Sequence, residues 1–364
     1  MDKTQTSEKI GRCIVNSTHI VIDKPRSEFI RFCYFVCAMM VVGIHAYQTA
    51  DLPVFSITAR VQGSLSHGLF SAAVPLFFFF SGQLFFRNID SVQDCLAKGK
   101  KRLGTLVLPF LAWSAVYVAV SLLADRFLHQ PCQIERSFIG ILRGIFFYEC
   151  SYHLWFCFQL MVYILLSPVI HLVLKRRKTA FSIGGAVCLL GLFKLGIWEI
   201  TVDGLTRSLF SLNCFAYYFL GCLSAKYPQW LYKTEAFLRK IPLTVLSVAT
   251  FAMSVLTGLL FEGVLASFNN RCTVPVMAVL CYGILLQISI RCKNIPIPCK
   301  ISTMVVYGIH ILVGVAVSMV LPYLHLPVLA DYFLWFILTA CLSCLASVVV
   351  GYCKPMSILF SGGR

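Results

Sequence analysis

Three histidines stand where an apolar sequence seldom places one. His45 closes the run from Phe29 to Tyr47, His153 opens the run that continues Leu154-Trp155, and His310 lies in the middle of the run 301–321. A side chain that titrates near neutral pH is costly in hydrocarbon, so a histidine at membrane depth is a functional candidate by default. Its chemistry would be proton transfer: it takes a proton from a hydroxyl and later returns it. The competing reading of His45 is a structural histidine bonded to a backbone carbonyl, and periodicity alone favours that one.

Three further stretches carry more than hydropathy. In Val74-Pro75-Leu76-Phe77-Phe78-Phe79-Phe80-Ser81-Gly82, Pro75 removes a backbone donor and Ser81-Gly82 permits close backbone approach; plain helix packing explains the same residues. Ser151-Tyr152-His153-Leu154-Trp155-Phe156 has the Tyr and Trp of an interfacial aromatic belt, which accounts for Tyr152 and Trp155 better than for His153. Lys98-Gly99-Lys100-Lys101-Arg102 precedes the run that holds Pro109-Phe110 and Trp113. Such a cluster can pair with the phosphates of a nucleotide-like donor, although topology or anionic lipid explains it too. A phosphate-binding P-loop, a zinc-protease helix and a Gly-x-Ser-x-Gly elbow are all missing from the sequence. The carboxylates Glu149, Glu199, Asp203, Glu262 and Asp331 flank apolar runs and read first as solvated loop ends.

These residues need elements to position them, and composition restricts the choice. The chain has 364 residues, 59% hydrophobic and 13% charged, with a mean hydropathy of +0.81. An ordinary soluble domain carries about 25% charged residues. A chain this apolar uses lipid as its solvent, and lipid admits only helices or closed barrels. The apolar runs are about 20 residues long, the length of a helix that crosses a bilayer. The expected fold is therefore an all-α, polytopic integral membrane protein. Ten spans are expected, at 29–47, 69–86, 104–124, 154–174, 180–198, 207–225, 242–261, 272–290, 301–321 and 330–352. They form one domain over 29–353, between a tail at 1–28 with no signal-peptide core and a tail at 354–364.

The net charge of +16 does not point to nucleic acid, because the basic residues fall in short clusters between apolar runs. Most of the 31 Lys and Arg fall on one side of the alternating loops, which makes that side cytosolic and puts both termini there. His45 is then near the outer face, at a depth similar to His153. Arg31 is near the cytosol, 14 residues and about 21 Å from His45 along a helix. The 17 cysteines sit mostly inside apolar runs and act as small hydrophobes. No pair at C-x-x-C spacing supports a metal site. Cys132 and Cys150 share a loop and either pair or remain thiols.

The order of motifs resembles the membrane acyltransferase 3 family, in its O-acetyltransferase-like branch, over roughly residues 26–353. The resemblance rests on Arg31 with Val41-Val42-x-x-His45, Val74-Pro75-Leu76-Phe77-Phe78, Ser81-Gly82 and Lys101-Arg102 leading to Leu108-Pro109-Phe110 and Trp113. Tyr152-His153-Leu154-Trp155-Phe156, Tyr217-Tyr218-Phe219-Leu220-Gly221 and Val306-Tyr307-Gly308-Ile309-His310 complete it. It implies transfer of an acyl group, usually acetyl from acetyl-CoA, to a hydroxyl of an extracytoplasmic glycan or lipid-linked saccharide in the bacterial inner membrane. No permanently bound cofactor and no metal is implied. His45 would be the general base, with Arg31, Lys101 and Arg102 on the donor side. Tyr34, Ser81, His153, Trp155 and His310 would support the acceptor side. One departure is specific: the family's first helix has about ten residues between its arginine and histidine, and at that spacing this chain has Tyr34. Arg31 is one helical turn further away. A transporter or flippase for a lipid-linked sugar or small solute would also use ten helices, and a family member that only binds or senses is a third reading.

Overall fold

The computed structural model describes residues 24–47, 56–132, 134–192, 197–202, 205–259, 266–292 and 301–363. Most of the expected N-terminal tail lies outside the described residues, as do Asp203 and Glu262. The described residues are helical almost throughout. In order, the helices are α1 (Lys24–Ile44), α2 (Ile57–Gly63), α3 (Ala73–Phe86), α4 (Val92–Leu128), α5 (Phe138–Phe146), α6 (Trp155–Leu165), α7 (Ser167–Leu174) and α8 (Arg177–Leu192). After the strands β1 (Ile197–Val202) and β2 (Leu205–Ser211) come α9 (Leu212–Lys226), α10 (Pro228–Lys240), α11 (Leu243–Leu259), α12 (Ala266–Arg291), α13 (Thr303–Val320), α14 (Val328–Tyr352) and α15 (Lys354–Ser361). A π-helical turn, Ser64–Gly68, and a 3₁₀ turn, Leu69–Ala72, join α2 to α3.

Six of the described helical segments are long and apolar enough to cross a membrane: Pro25–Ile44, Ile57–Phe86, Val92–Leu128, Cys272–Arg291, Thr303–Leu324 and Val328–Tyr352. The number is eight if Tyr152–Leu165 with Ser167–Leu174, and Pro228–Lys240 with Leu243–Leu259, each form one span. The protein is thus a polytopic, all-α membrane protein. The two other expected spans, 180–198 and 207–225, correspond to α8 and α9. These have only 16 and 15 residues, about 24 and 22 Å against a hydrocarbon core of about 30 Å. The ends that the hydropathy pattern assigned to helix form instead an antiparallel hairpin. It runs from Ile197↔Ser211 to Val202↔Leu205, with a bulge at Trp198/Glu199.

The described chain divides into two compact units. Unit 1 holds α1–α3, α7–α12 and the first turn of α4. Its interior helix is α9, buried on most sides, which packs on α3 through two glycines. A Cβ on Gly82 would strike the Tyr218 carbonyl oxygen, and one on Gly221 the Phe79 carbonyl oxygen. The motifs Ser81-Gly82 and Phe219-Leu220-Gly221 are therefore the two halves of one backbone contact. Gln83 seals it: Nε2 donates to Ser224 Oγ at 2.8 Å, and Ser224 Oγ donates to the Gly221 carbonyl at 2.7 Å.

Unit 2 holds the rest of α4, α5, α6, the hairpin and α13–α15. The 37 residues of α4 make a rod about 55 Å long, well beyond the hydrocarbon thickness. Its basic cluster Lys98–Arg102 is thus the first part of a helix and not a loop ahead of one. The helix starts on a capping box: Ser91 Oγ accepts from Asp94 N at 3.1 Å, and Asp94 Oδ2 accepts from Ser91 N at 2.9 Å. The hairpin is tied to α6, where Gln159 Oε1 accepts from Ser211 N at 3.0 Å and the Tyr163 hydroxyl donates to Ser211 O at 2.7 Å. Residues 354–361 are helical as α15, and Phe360 packs on Trp113 at 4.8 Å between ring centroids. Cys132 and Cys150 are both thiols.

Candidate functional site

In unit 1, α1 delivers His45. The helix stops at Ile44, and the chain tightens into i→i−3 bonds: His45 N donates to Val42 O at 3.1 Å and Ala46 N to Gly43 O at 3.3 Å. Helix ends leave carbonyls without intrahelical partners. Here Ser66 Oγ donates to the buried Gly43 carbonyl at 2.7 Å. The Phe70 ring packs directly on Gly43 and occupies the place a Cβ would take. The backbone two residues before His45 is therefore gripped from two sides, and His45 itself is half-buried.

Ser66 belongs to the π-helical turn, a form common at functional sites. That turn carries His67, which the sequence reading passed over. His67 packs edge-on against Tyr47, two residues after His45, at 4.6 Å between ring centroids. α11 fixes the turn from behind: Ser254 Oγ donates to Ser64 O at 2.6 Å, and Gly258 leaves room for Ser64. An imidazole at the end of a braced backbone suits proton transfer to and from a hydroxyl.

Further along α1, the structure joins two of the expected residues. The Tyr34 hydroxyl lies 3.1 Å from Ser81 Oγ, and the Tyr34 ring packs against Phe77 and Phe80. At 100° per residue, Tyr34 is about 20° from the azimuth of His45 and about 16 Å along the axis. Arg31 is exposed. The buried arginine of α1 is instead Arg26, which the sequence reading did not single out. Its guanidinium binds Glu235 of α10, with side-chain exposures of 10% and 4%. Glu235 also accepts from the Tyr282 hydroxyl, and Arg26 reaches Gln83 at 3.5 Å.

Unit 2 has a second imidazole pair. His153 and His310 are buried with ring centroids 5.4 Å apart. His310 Nδ1 lies 2.8 Å from the Tyr307 carbonyl. A carbonyl only accepts, so Nδ1 carries the proton and Nε2 is the basic nitrogen. The Tyr307 hydroxyl donates to the His153 carbonyl. The Tyr117 ring packs against His153 at 4.8 Å with the planes tilted by 59°, and its hydroxyl donates to Gly308 O at 2.9 Å. Gly308 exists for Trp113, whose indole fills the place of a Cβ. Trp155 is half-buried against the same aromatic core. Lys101 is exposed and Arg102 half-buried on α4. Glu149 is buried and paired with Arg143 at 3.1 Å, so it is no solvated loop end. Among the described residues no group of three or more His, Cys, Asp or Glu converges as a metal site.

Comparison with known proteins gives one family. No curated protein and no solved structure matches the chain. The family model described as an acyltransferase domain, of the acyltransferase 3 type, matches residues 29–352. That range includes His45 with its braced turn, the Tyr34–Ser81 contact, the Gly82–Gly221 crossing and the His153–His310 pair; the chain belongs to the acyltransferase 3 family and is a membrane acyltransferase of that type.

Proposed function

We propose that the enzyme moves an acyl group, acetyl in the first instance, from cytosolic acyl-CoA to a hydroxyl of an extracytoplasmic glycan or lipid-linked saccharide. His45 is the general base. Its imidazole takes the proton of the acceptor hydroxyl as the oxygen attacks the thioester carbonyl. The carbon–sulfur bond then breaks, the ester remains on the acceptor, and the thiolate leaves as free thiol after taking a proton. Ser81, His153, Trp155 and His310 serve the acceptor side, as does Tyr34. Exposed Arg31 and Lys101, with Arg102, are the cations offered to the donor's phosphates. The setting is the bacterial inner membrane, with both termini cytosolic.

The observation that carries this reading is the bracing of His45. Two features converge on the end of α1, the Ser66 bond to Gly43 O and the close Phe70 ring, and the turn that supplies Ser66 is itself held by Ser254. A base fixed against its helix end needs little reorganisation to meet a substrate hydroxyl. The experiment compares wild type with purified His45→Ala. Thiol release from acetyl-CoA is followed in the presence of envelope glycan, together with the mass of the glycan. A base of this kind contributes about 10²- to 10⁴-fold in rate, and a loss of that size is expected with the fold retained. A folded His45→Ala protein that transfers at near the native rate overturns the assignment.

A further inference from the structure

The feature that the acyl-transfer chemistry leaves unused is α10. It contains Lys233, Glu235, Arg239 and Lys240, and it is bent 98° from α11. α11 is apolar, with Val245, Val248, Phe251, Leu256 and Leu259 exposed, as suits a lipid-facing helix. If α11 crosses the bilayer, a right-angled neighbour lies along its surface.

The faces of α10 sort accordingly. Leu231, Glu235 and Leu238, at i, i+4 and i+7, are buried. Glu235 is the pin, held by Arg26 of α1 and Tyr282 of α12. On the opposite side Lys233, Ala236, Phe237 and Lys240, at i, i+3, i+4 and i+7, are exposed, and Phe237 is 62% exposed. An apolar ring flanked by lysines on a surface helix is the pattern of an interfacial anchor. More positive charge lies beside it. The Tyr227 hydroxyl donates to Leu174 O at 2.6 Å, which brings the start of α10 against the exposed run Lys175-Arg176-Arg177-Lys178.

We infer that the outer face of α10, with the adjoining 175–178 turn, docks on a bilayer surface of anionic phospholipid, Phe237 entering the acyl boundary and Lys233 and Lys240 pairing with headgroup phosphates. The charge is complementary to such a surface, and an aromatic side chain in solvent has no comparable reason beside a soluble phosphate. Through Glu235 and Arg26 the docked helix would also be coupled to α1, the helix that carries His45.

The test is hydrogen–deuterium exchange of residues 228–240 in the full-length protein. It compares nanodiscs of phosphatidylcholine alone with nanodiscs that include phosphatidylglycerol. The anionic discs are expected to slow exchange in α10, and added salt to weaken the effect. Each cation near an anionic leaflet is worth about a factor of five, so Lys233→Gln with Lys240→Gln is expected to lower the docking equilibrium about 25-fold. Phe237→Ser provides an independent variant, because it removes the inserted ring and leaves the charge. Equal exchange in the two discs overturns the proposal. So does the same protection from inorganic phosphate in phosphatidylcholine discs, which would mean a soluble phosphate site. Protection in detergent that rises with protein concentration also overturns it, in favour of a second copy. None of these readouts involves acyl transfer, so their failure is separate from that of the His45 assignment.

Discussion

Replacing Gly221 by Ala sets two effects of known size against each other. In a helix interior alanine is more favourable than glycine by about 1 kcal/mol. At Gly221 the new methyl would overlap the Phe79 carbonyl oxygen and lie 2.9 Å from Gln83 N. Both are backbone atoms of α3 and cannot rotate aside, so relief requires the two helices to separate. An extra methyl in a packed interior costs about 1–3 kcal/mol, and the upper figure suits a backbone obstacle. Separation also stretches the Gln83–Ser224 bond, now 2.8 Å, and a lost buried hydrogen bond costs about 1 kcal/mol more. The net is a destabilisation of about 3 kcal/mol. Gly185 on α8 is the control, because a Cβ there meets nothing within 4 Å. Gly185→Ala is expected to be neutral or stabilising by up to about 1 kcal/mol. Equilibrium unfolding in mixed micelles, titrated with a denaturing detergent, measures both. A Gly221→Ala protein as stable as wild type would show that α3 and α9 do not meet through backbone, and the placement of Ser81 beside Tyr34 would fall with it.

The buried pair at the start of α1 makes a second prediction. Glu235→Ala leaves Arg26 buried without its carboxylate and is expected to cost about 3–5 kcal/mol. Arg26→Met with Glu235→Leu is expected to restore most of that loss, and unfolding midpoints of the two variants decide it. Tyr34→Phe removes only the hydroxyl that meets Ser81 at 3.1 Å. It is expected to cost about 1 kcal/mol of stability, and Ser81→Ala made on top of it is expected to cost little more, as a double-mutant cycle would measure. Gly308→Ala forces Trp113 off α13. The expected result is a destabilisation of about 1–3 kcal/mol, with a changed tryptophan emission as the readout.

Long apolar runs made the membrane class and most helices legible in the sequence, because hydropathy over about 20 residues is a strong physical signal. It overran at 180–198 and 207–225. Residues 197–198 and 207–211 continue the apolar runs on either side, yet Asp203-Gly204 between the two strands is a strong short-range hairpin signal. His45, Tyr34 and Ser81 were visible as types and spacings. Their neighbours were not, for two different reasons. His67 sits in a π-turn, and one extra residue in a turn rotates everything before it relative to everything after, which period-3.6 reading cannot follow. Arg26 and Glu235 are separated by 209 residues, and each alone resembles an ordinary loop-end charge.

The same contrast explains what α1 does as a unit. Three contacts fix it along its length: Arg26 to Glu235 near its start, Tyr34 to Ser81 in the middle, and Ser66 to Gly43 O at its end. The first is ionic, the second joins two hydroxyls, and the third caps a carbonyl. An apolar stripe sets neither rotation nor axial position sharply, because shape complementarity tolerates repacking of similar volumes. Directed bonds at three heights do set both, and they converge on the residue that follows the helix. Arg31, exposed between the first two contacts, takes no part in these three. Position 34 bears a hydroxyl that meets Ser81 Oγ at 3.1 Å, so at that height α1 is held to α3 by a contact between two neutral groups.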